Sequence, residues 1–138
     1  MTPKISVHDN EIRSYIVDGQ EQKIVLHTVS PSYPPKLTDV YFNGVAIYYF
    51  GGDYFSNILF NISEIEIEAM LELFKEVVLY AYSDYFSLQS KGEAQVAKEI
   101  RERHLKAFVI RASMGLGGFV LCNEMQFVML SEPRVSSV

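Results

Sequence analysis

The chain predicts an α+β fold, a largely antiparallel sheet with one long and one shorter helix packed on it. Three observations carry this. Short runs rich in Ile, Val, Tyr and Phe occupy both ends of the 138 residues, helix-period segments fall between them, and the connections are of the short, antiparallel type. The length fits a single globular domain, residues 1–138, able to bury a core without disulfide or metal.

Ile12–Val17 and Lys23–Val29 read as a β-hairpin, because Asp18-Gly19 opens the five-residue turn between them. Ser30 to Lys36 holds three of the five prolines and is expected to be a loop. Strand three begins near Leu37. Asn43-Gly44 between Thr38–Phe42 and Val45–Phe50 is a hairpin signal, with a helical turn or irregular edge as alternatives for the second run. Gly51-Gly52-Asp53 breaks the pattern, and Asn57–Ile62 is a further strand.

Ser63 followed three residues later by Glu66 has capping-box spacing and predicts a helix start there. Ile67, Met70, Leu71, Phe74, Val78 and Ala81 then mark one buried face of a long helix reaching Phe86. Glu64, Glu68, Glu72 and Glu76 recur on the opposite side, where each adjacent pair repels by about 0.2–0.5 kcal/mol. Val77 through Phe86 is apolar nearly all round, as expected of two-sided burial or a contact surface. Ser87–Gly92 is a loop and Glu93–Arg103 a shorter helix. Lys106–Ala112 and Phe119–Cys122 are strands around Gly115-Leu116-Gly117-Gly118, and Met125–Leu130 is the last strand before a polar tail.

Composition narrows the classes of function. A net charge of −5 argues against nucleic acid as a partner, because phosphate binding needs clustered Lys and Arg. The apolar runs fall far short of the roughly 20 residues a membrane helix requires, so no membrane contact is expected. Met1 to Asn10 lacks the pattern of a secretory signal, and the lone Cys122 cannot form an internal disulfide; a cytoplasmic location is the expectation.

No catalytic, cofactor or metal site is expected. His8-Asp9-Asn10 reads as a polar turn, since one histidine and one acid are too few for a zinc site. His27 and His104 share no motif with it. Cys122 sits in an apolar run and reads as an inert core thiol. The glycines of Gly115-Leu116-Gly117-Gly118 lead into a strand, not a helix N-terminus, so they read as a tight turn or close packing and not as a phosphate cradle.

One stretch stands out. Between Leu37 and Ser90 there are eight acids and a single base, Lys75, together with Tyr41, Tyr48, Tyr49, Tyr54, Tyr80, Tyr82 and Tyr85. Carboxylates steer a basic partner and tyrosines supply rigid contact area, so Glu64, Glu68, Glu72, Glu76, Tyr80 and Asp84 are the expected partner-binding residues. A structural homo-oligomer joined through Val77–Phe86 is the alternative, and a small-molecule pocket near His8, Asp9 and His27 is a third.

Val7-His8-Asp9-Asn10, Ile24-Val25-Leu26-His27-Thr28, the run from Thr38 to Val45 and that from Gly115 to Leu121 together resemble a family of small bacterial proteins grouped with the immunity proteins of polymorphic toxin systems. Phe119 stands where a tryptophan is more usual in that family. The resemblance implies a cytoplasmic, non-enzymatic inhibitor that binds and silences a toxin domain. Many such toxins are basic, which suits an acidic partner.

Overall fold

Eight strands and three helices make up the described part of the chain, residues 5–81 and 93–131 of a computed structural model. The strands are β1 (Glu11–Asp18), β2 (Lys23–Val29), β3 (Leu37–Asn43), β4 (Ile47–Gly51), β5 (Asn57–Ile65), β6 (Lys106–Met114), β7 (Gly117–Cys122) and β8 (Glu124–Leu130). The helices are α1 (Ile67–Leu73), α2 (Lys75–Ala81) and α3 (Glu93–Glu102). All pairings are antiparallel, in the order β4-β7-β6-β5-β1-β2-β3-β8, so the architecture is α+β.

The β1–β2 hairpin forms as its sequence predicts, with the Asp18 carboxylate accepting from the Gln20 and Glu21 amides to cap the turn. The expected hairpin at Asn43-Gly44 does not form. The type I′ turn that Asn-Gly favours needs positive φ at both residues, and of Asn43 and Gly44 only Gly44 has one, +65°. β3 therefore bends into β4 without reversing. Opposite it, the single residue Asn123 separates β7 from β8, and its amide donates to the carbonyls of Asn43 and Gly44 at 3.0 and 3.2 Å. A Cβ on Gly44 would fall 2.0 Å from Asn123 Oδ1, so the two bends nest only because residue 44 has no side chain.

Those facing bends join the two ends of the sheet. β3 pairs with β8 on one side of the bend and β4 with β7 on the other, so the strands curl into a partly open barrel. The narrowest junction is between β1 and β5, which share only Glu11↔Ile58 and Ile12↔Asn57. Ile24, Leu26, Val40, Phe42, Leu59, Phe108, Ile110 and Val120 fill the interior. A second core lies between the outer face of β4, β6 and β7 and the helices, where Ile47, Phe119 and Leu121 meet Ile67, Met70, Leu71, Val78, Val96, Ala97 and Ile100. Alternate residues of β7 serve the two cores, Val120 and Cys122 inward, Phe119 and Leu121 toward the helices, so this strand is apolar without interruption.

The long helix expected from Ser63 is corrected in two places. Residues 63–65 stay in β5, with Ser63↔Val109, Glu64↔Phe108 and Ile65↔Ala107 on the β6 ladder. The Ser63 hydroxyl accepts from Arg111 and caps nothing; Glu66 takes the N-cap position without a side-chain cap bond. A capping box contributes about 1 kcal/mol, less than three further ladder pairs beside a buried Ile62. The helix also breaks at Phe74, where φ and ψ are −116° and 28°, giving two seven-residue pieces, α1 and α2. The Phe74 ring stacks at 4.8 Å on Phe119 and at 6.3 Å beside Tyr49, so sheet contacts hold the residue at which the helix bends. The rest of the expected helix, 82–86, and the loop after it lie outside the described residues.

Candidate functional site

Burial of Ile67, Met70, Leu71 and Val78 against the sheet fixes which way the carboxylates of this stretch point. Glu64, Glu66, Glu68, Glu72 and Glu76 are all exposed. They do not form the single helical stripe that their spacing predicts, because Glu64 projects from β5 while Glu72 and Glu76 flank the break at Phe74. Tyr80 belongs to α2, and Asp84 lies outside the described residues.

Where β5 passes into α1 and α3 into β6, an open groove of about 580 Å³ separates the two connections, lined by Glu64, Glu66, Arg101 and Lys106 over Ile65, Ile67 and Leu105. Arg101 reaches across from α3 to the Glu68 carboxylate. The bond to this guanidinium holds the Glu68 carboxyl below the usual range, and Glu68, with Glu66 further off, raises Arg101 in turn. Cations brought in by α3 and β6 therefore dilute the acidic patch at this end. The sequence hid this, since Arg101 lies 33 residues from Glu68.

The tyrosines divide. Tyr48 is half-buried and packs on the interior core with Phe50, and Tyr41 is half-buried on β3. Tyr49 and Tyr54 reach solvent, at 39% and 52% exposure; Tyr82 and Tyr85 lie outside the described residues. Tyr49 contacts Phe74, and Leu73 beside it is 60% exposed. Tyr49, Phe74 and Leu73 thus bring apolar surface to the α1–α2 junction, within the stretch of chain that carries Glu72 and Glu76.

A network unforeseen from sequence ties β1 to the β4–β5 and β6–β7 connections. The Tyr15 hydroxyl of β1 donates to Asp53 at 2.5 Å, and Asn57 Nδ2 donates to the other Asp53 oxygen at 2.8 Å. Asn57, buried, also accepts from the Leu116 and Tyr54 amides at 2.9 and 3.2 Å. The hydrogen bond to Asp53 pushes the Tyr15 phenol up to about 12, with burial adding to it, and the same bond holds the Asp53 carboxyl below its ordinary value. Polar residues beside a glycine turn were the available signal, but no local pattern links position 15 to 53.

The histidines do not converge. His8 Nδ1 lies 2.8 Å from the Phe60 carbonyl, with Asp9 3.4 Å from the other ring nitrogen, whereas His27 meets Asp39 at 3.0 Å across β2 and β3. A cavity beside His8 is lined with Asn61 and Phe127, another beside Asp9 with Glu11 and Arg13, and neither includes His27. Among the described residues no group of three or more His, Cys, Asp or Glu is placed to hold a metal ion. Cys122 is buried, and desolvation pushes its thiol up to about 12. No helix of the described residues is long and apolar enough to cross a membrane.

Comparison with family models, with curated proteins and with solved structures returns no match to this chain.

Proposed function

We propose that the chain is a non-enzymatic protein-binding module, an immunity-like inhibitor that works in the cytoplasm and neutralises a basic toxin domain through its acidic surface. The observation that carries this reading is the exposure of Glu64, Glu66, Glu68, Glu72 and Glu76 along a segment whose Ile67, Met70, Leu71 and Val78 are buried in the core. Glu68 shares its charge with Arg101, so Glu72 and Glu76, exposed with Leu73 between them in the chain, are the residues we take to meet a cationic partner. Carboxylates that outnumber Lys75 in this stretch suit a basic protein: the field speeds encounter and the apolar groups supply short-range affinity. The inert Cys122 thiol and the separated histidines favour a binding role over a catalytic one.

Co-purification from the source cell tests the reading. The wild type should recover a basic protein whose binding weakens as salt is raised, and Glu72→Lys combined with Glu76→Lys should lose it. Equal recovery by both would refute the proposal.

A further inference from the structure

Asn43-Gly44, at the bend between β3 and β4, carries chemistry as well as geometry. Of the five asparagines only Asn43 precedes a glycine; Asn10, Asn57, Asn61 and Asn123 are followed by Glu11, Ile58, Ile62 and Glu124. An asparagine side-chain carbonyl carbon can close a five-membered ring with the backbone nitrogen of the next residue, and a neighbour without a Cβ leaves that nitrogen open to approach. A strand ordinarily blocks the reaction, because its ladder engages the N–H and holds the backbone extended. Here the ladder stops at the critical atom. β3 ends at Asn43, Val45 donates to the Gln22 carbonyl, and Gly44 between them donates to no acceptor among the described residues. Asn43 and Gly44 are both half-buried, so water reaches them. Among the described residues the Asn43 side chain is tied by one hydrogen bond, a long one of 3.3 Å from Nδ2 to the exposed Glu124 carboxylate.

We infer that Asn43 is a self-modification site, converting without an enzyme through a cyclic imide to aspartate and isoaspartate. The Gly44 nitrogen attacks Asn43 Cγ and gives up its proton; the Cγ–Nδ2 bond breaks, and Nδ2 leaves with that proton as ammonia. Water then opens the ring. Its attack at Cγ leaves aspartate, and its attack at the main-chain carbonyl carbon leaves isoaspartate, with the backbone rerouted through Cβ and Cγ. Nothing is oxidised or reduced, and water is the sole co-reactant. The two products differ in consequence. Aspartate sets a carboxylate between Lys23 and Glu124 on the flanking strands, an attraction and a repulsion that oppose each other. Isoaspartate adds a main-chain carbon beside Gly44, where the Asn43 and Gly44 carbonyls share the Asn123 amide and a Cβ on Gly44 would fall 2.0 Å from Asn123 Oδ1. The extra length has no room there, so this product loosens the bend that joins the β3–β8 and β4–β7 pairings.

The test incubates the purified protein in mildly alkaline, heavy-oxygen water, with and without denaturant, and follows its peptides by mass spectrometry. In the native protein Asn43 should convert about tenfold or more faster than Asn10, Asn57, Asn61 or Asn123, with heavy oxygen at position 43 and isoaspartate among the products. Asn43→Gln, which requires a larger ring, should stay unmodified at that position. The isoaspartate form, separated by ion exchange, should unfold at a lower temperature than the unmodified protein. Conversion of Asn43 only in denaturant, or no faster in the native state than at the other four, overturns the inference. A wild-type midpoint for the isoaspartate form overturns its effect on the bend.

Discussion

Tyr15 and Asp53, 38 residues apart, are joined by a 2.5 Å hydrogen bond that bridges β1 to the loop between β4 and β5. β1 and β5 share only two residue pairs, so this side-chain bond closes the weakest junction of the barrel.

Tyr15→Phe should lower stability by about 0.5–1 kcal/mol, less than is usual for a hydrogen bond to a charged group because Asp53 is exposed and water competes. The pH dependence has a definite sign. Asp53 is depressed in the folded state, so its contribution is present above the unfolded value near ~3.9 and is lost as pH falls through the folded value. Tyr15 is raised to about 12, so its contribution is complete below the unfolded value near ~10 and is lost as pH rises through about 12. Denaturant unfolding of both proteins should show a constant gap between about pH 5 and 9 that narrows outside it. A gap unaffected by acid would mean that the bond contributes nothing.

Gly118→Ala should unfold or severely destabilise the protein. A Cβ there would lie 1.8 Å from the Tyr49 carbonyl oxygen, on the backbone that β4 offers to β7. The loss should exceed the few kcal/mol of an ordinary core truncation, since backbone must move. Circular dichroism and thermal unfolding check it; a wild-type midpoint would contradict the close β4–β7 approach.

Cys122 should resist thiol reagents in the native protein. The thiol is buried and pushed up to about 12, so almost no thiolate exists at pH 8. Modification should appear only with unfolding, at a rate that follows added denaturant. Rapid native labelling would show that β7 opens.

Glu68 should titrate below the usual glutamate range in NMR, and Arg101→Ala should return it upward. The same substitution leaves the groove between Glu64, Glu66 and Lys106 more negative and should strengthen the salt dependence of partner binding. An unchanged Glu68 titration would show that the pair does not persist in solution.

Local pattern was a good guide wherever the deciding forces were local. The β1–β2 turn, the Pro-rich loop, the strands around Gly115–Gly118 and α3 all occur near their expected places, because alternation, turn residues and helical spacing act within a few residues. Asn43-Gly44 misled because its hairpin preference lost to pairing with Asn123, a partner from the far end of the chain. Ser63 misled for the same kind of reason: its capping spacing was intact, but β6 captured its backbone. Glu68 looked like part of a repulsive stripe until α3 supplied Arg101.

The chain by itself determined an α+β class, which residues are apolar enough to be interior, and an excess of negative charge in the middle third, since these depend on composition and short-range periodicity. Only the tertiary structure decided that the sheet curls through two nested bends, that the helix breaks at Phe74, and that Arg101 of α3 reaches Glu68 of α1. Those outcomes depend on contacts between residues dozens of positions apart, where a ladder pair or a ring stack outweighs a local preference of about 1 kcal/mol or less.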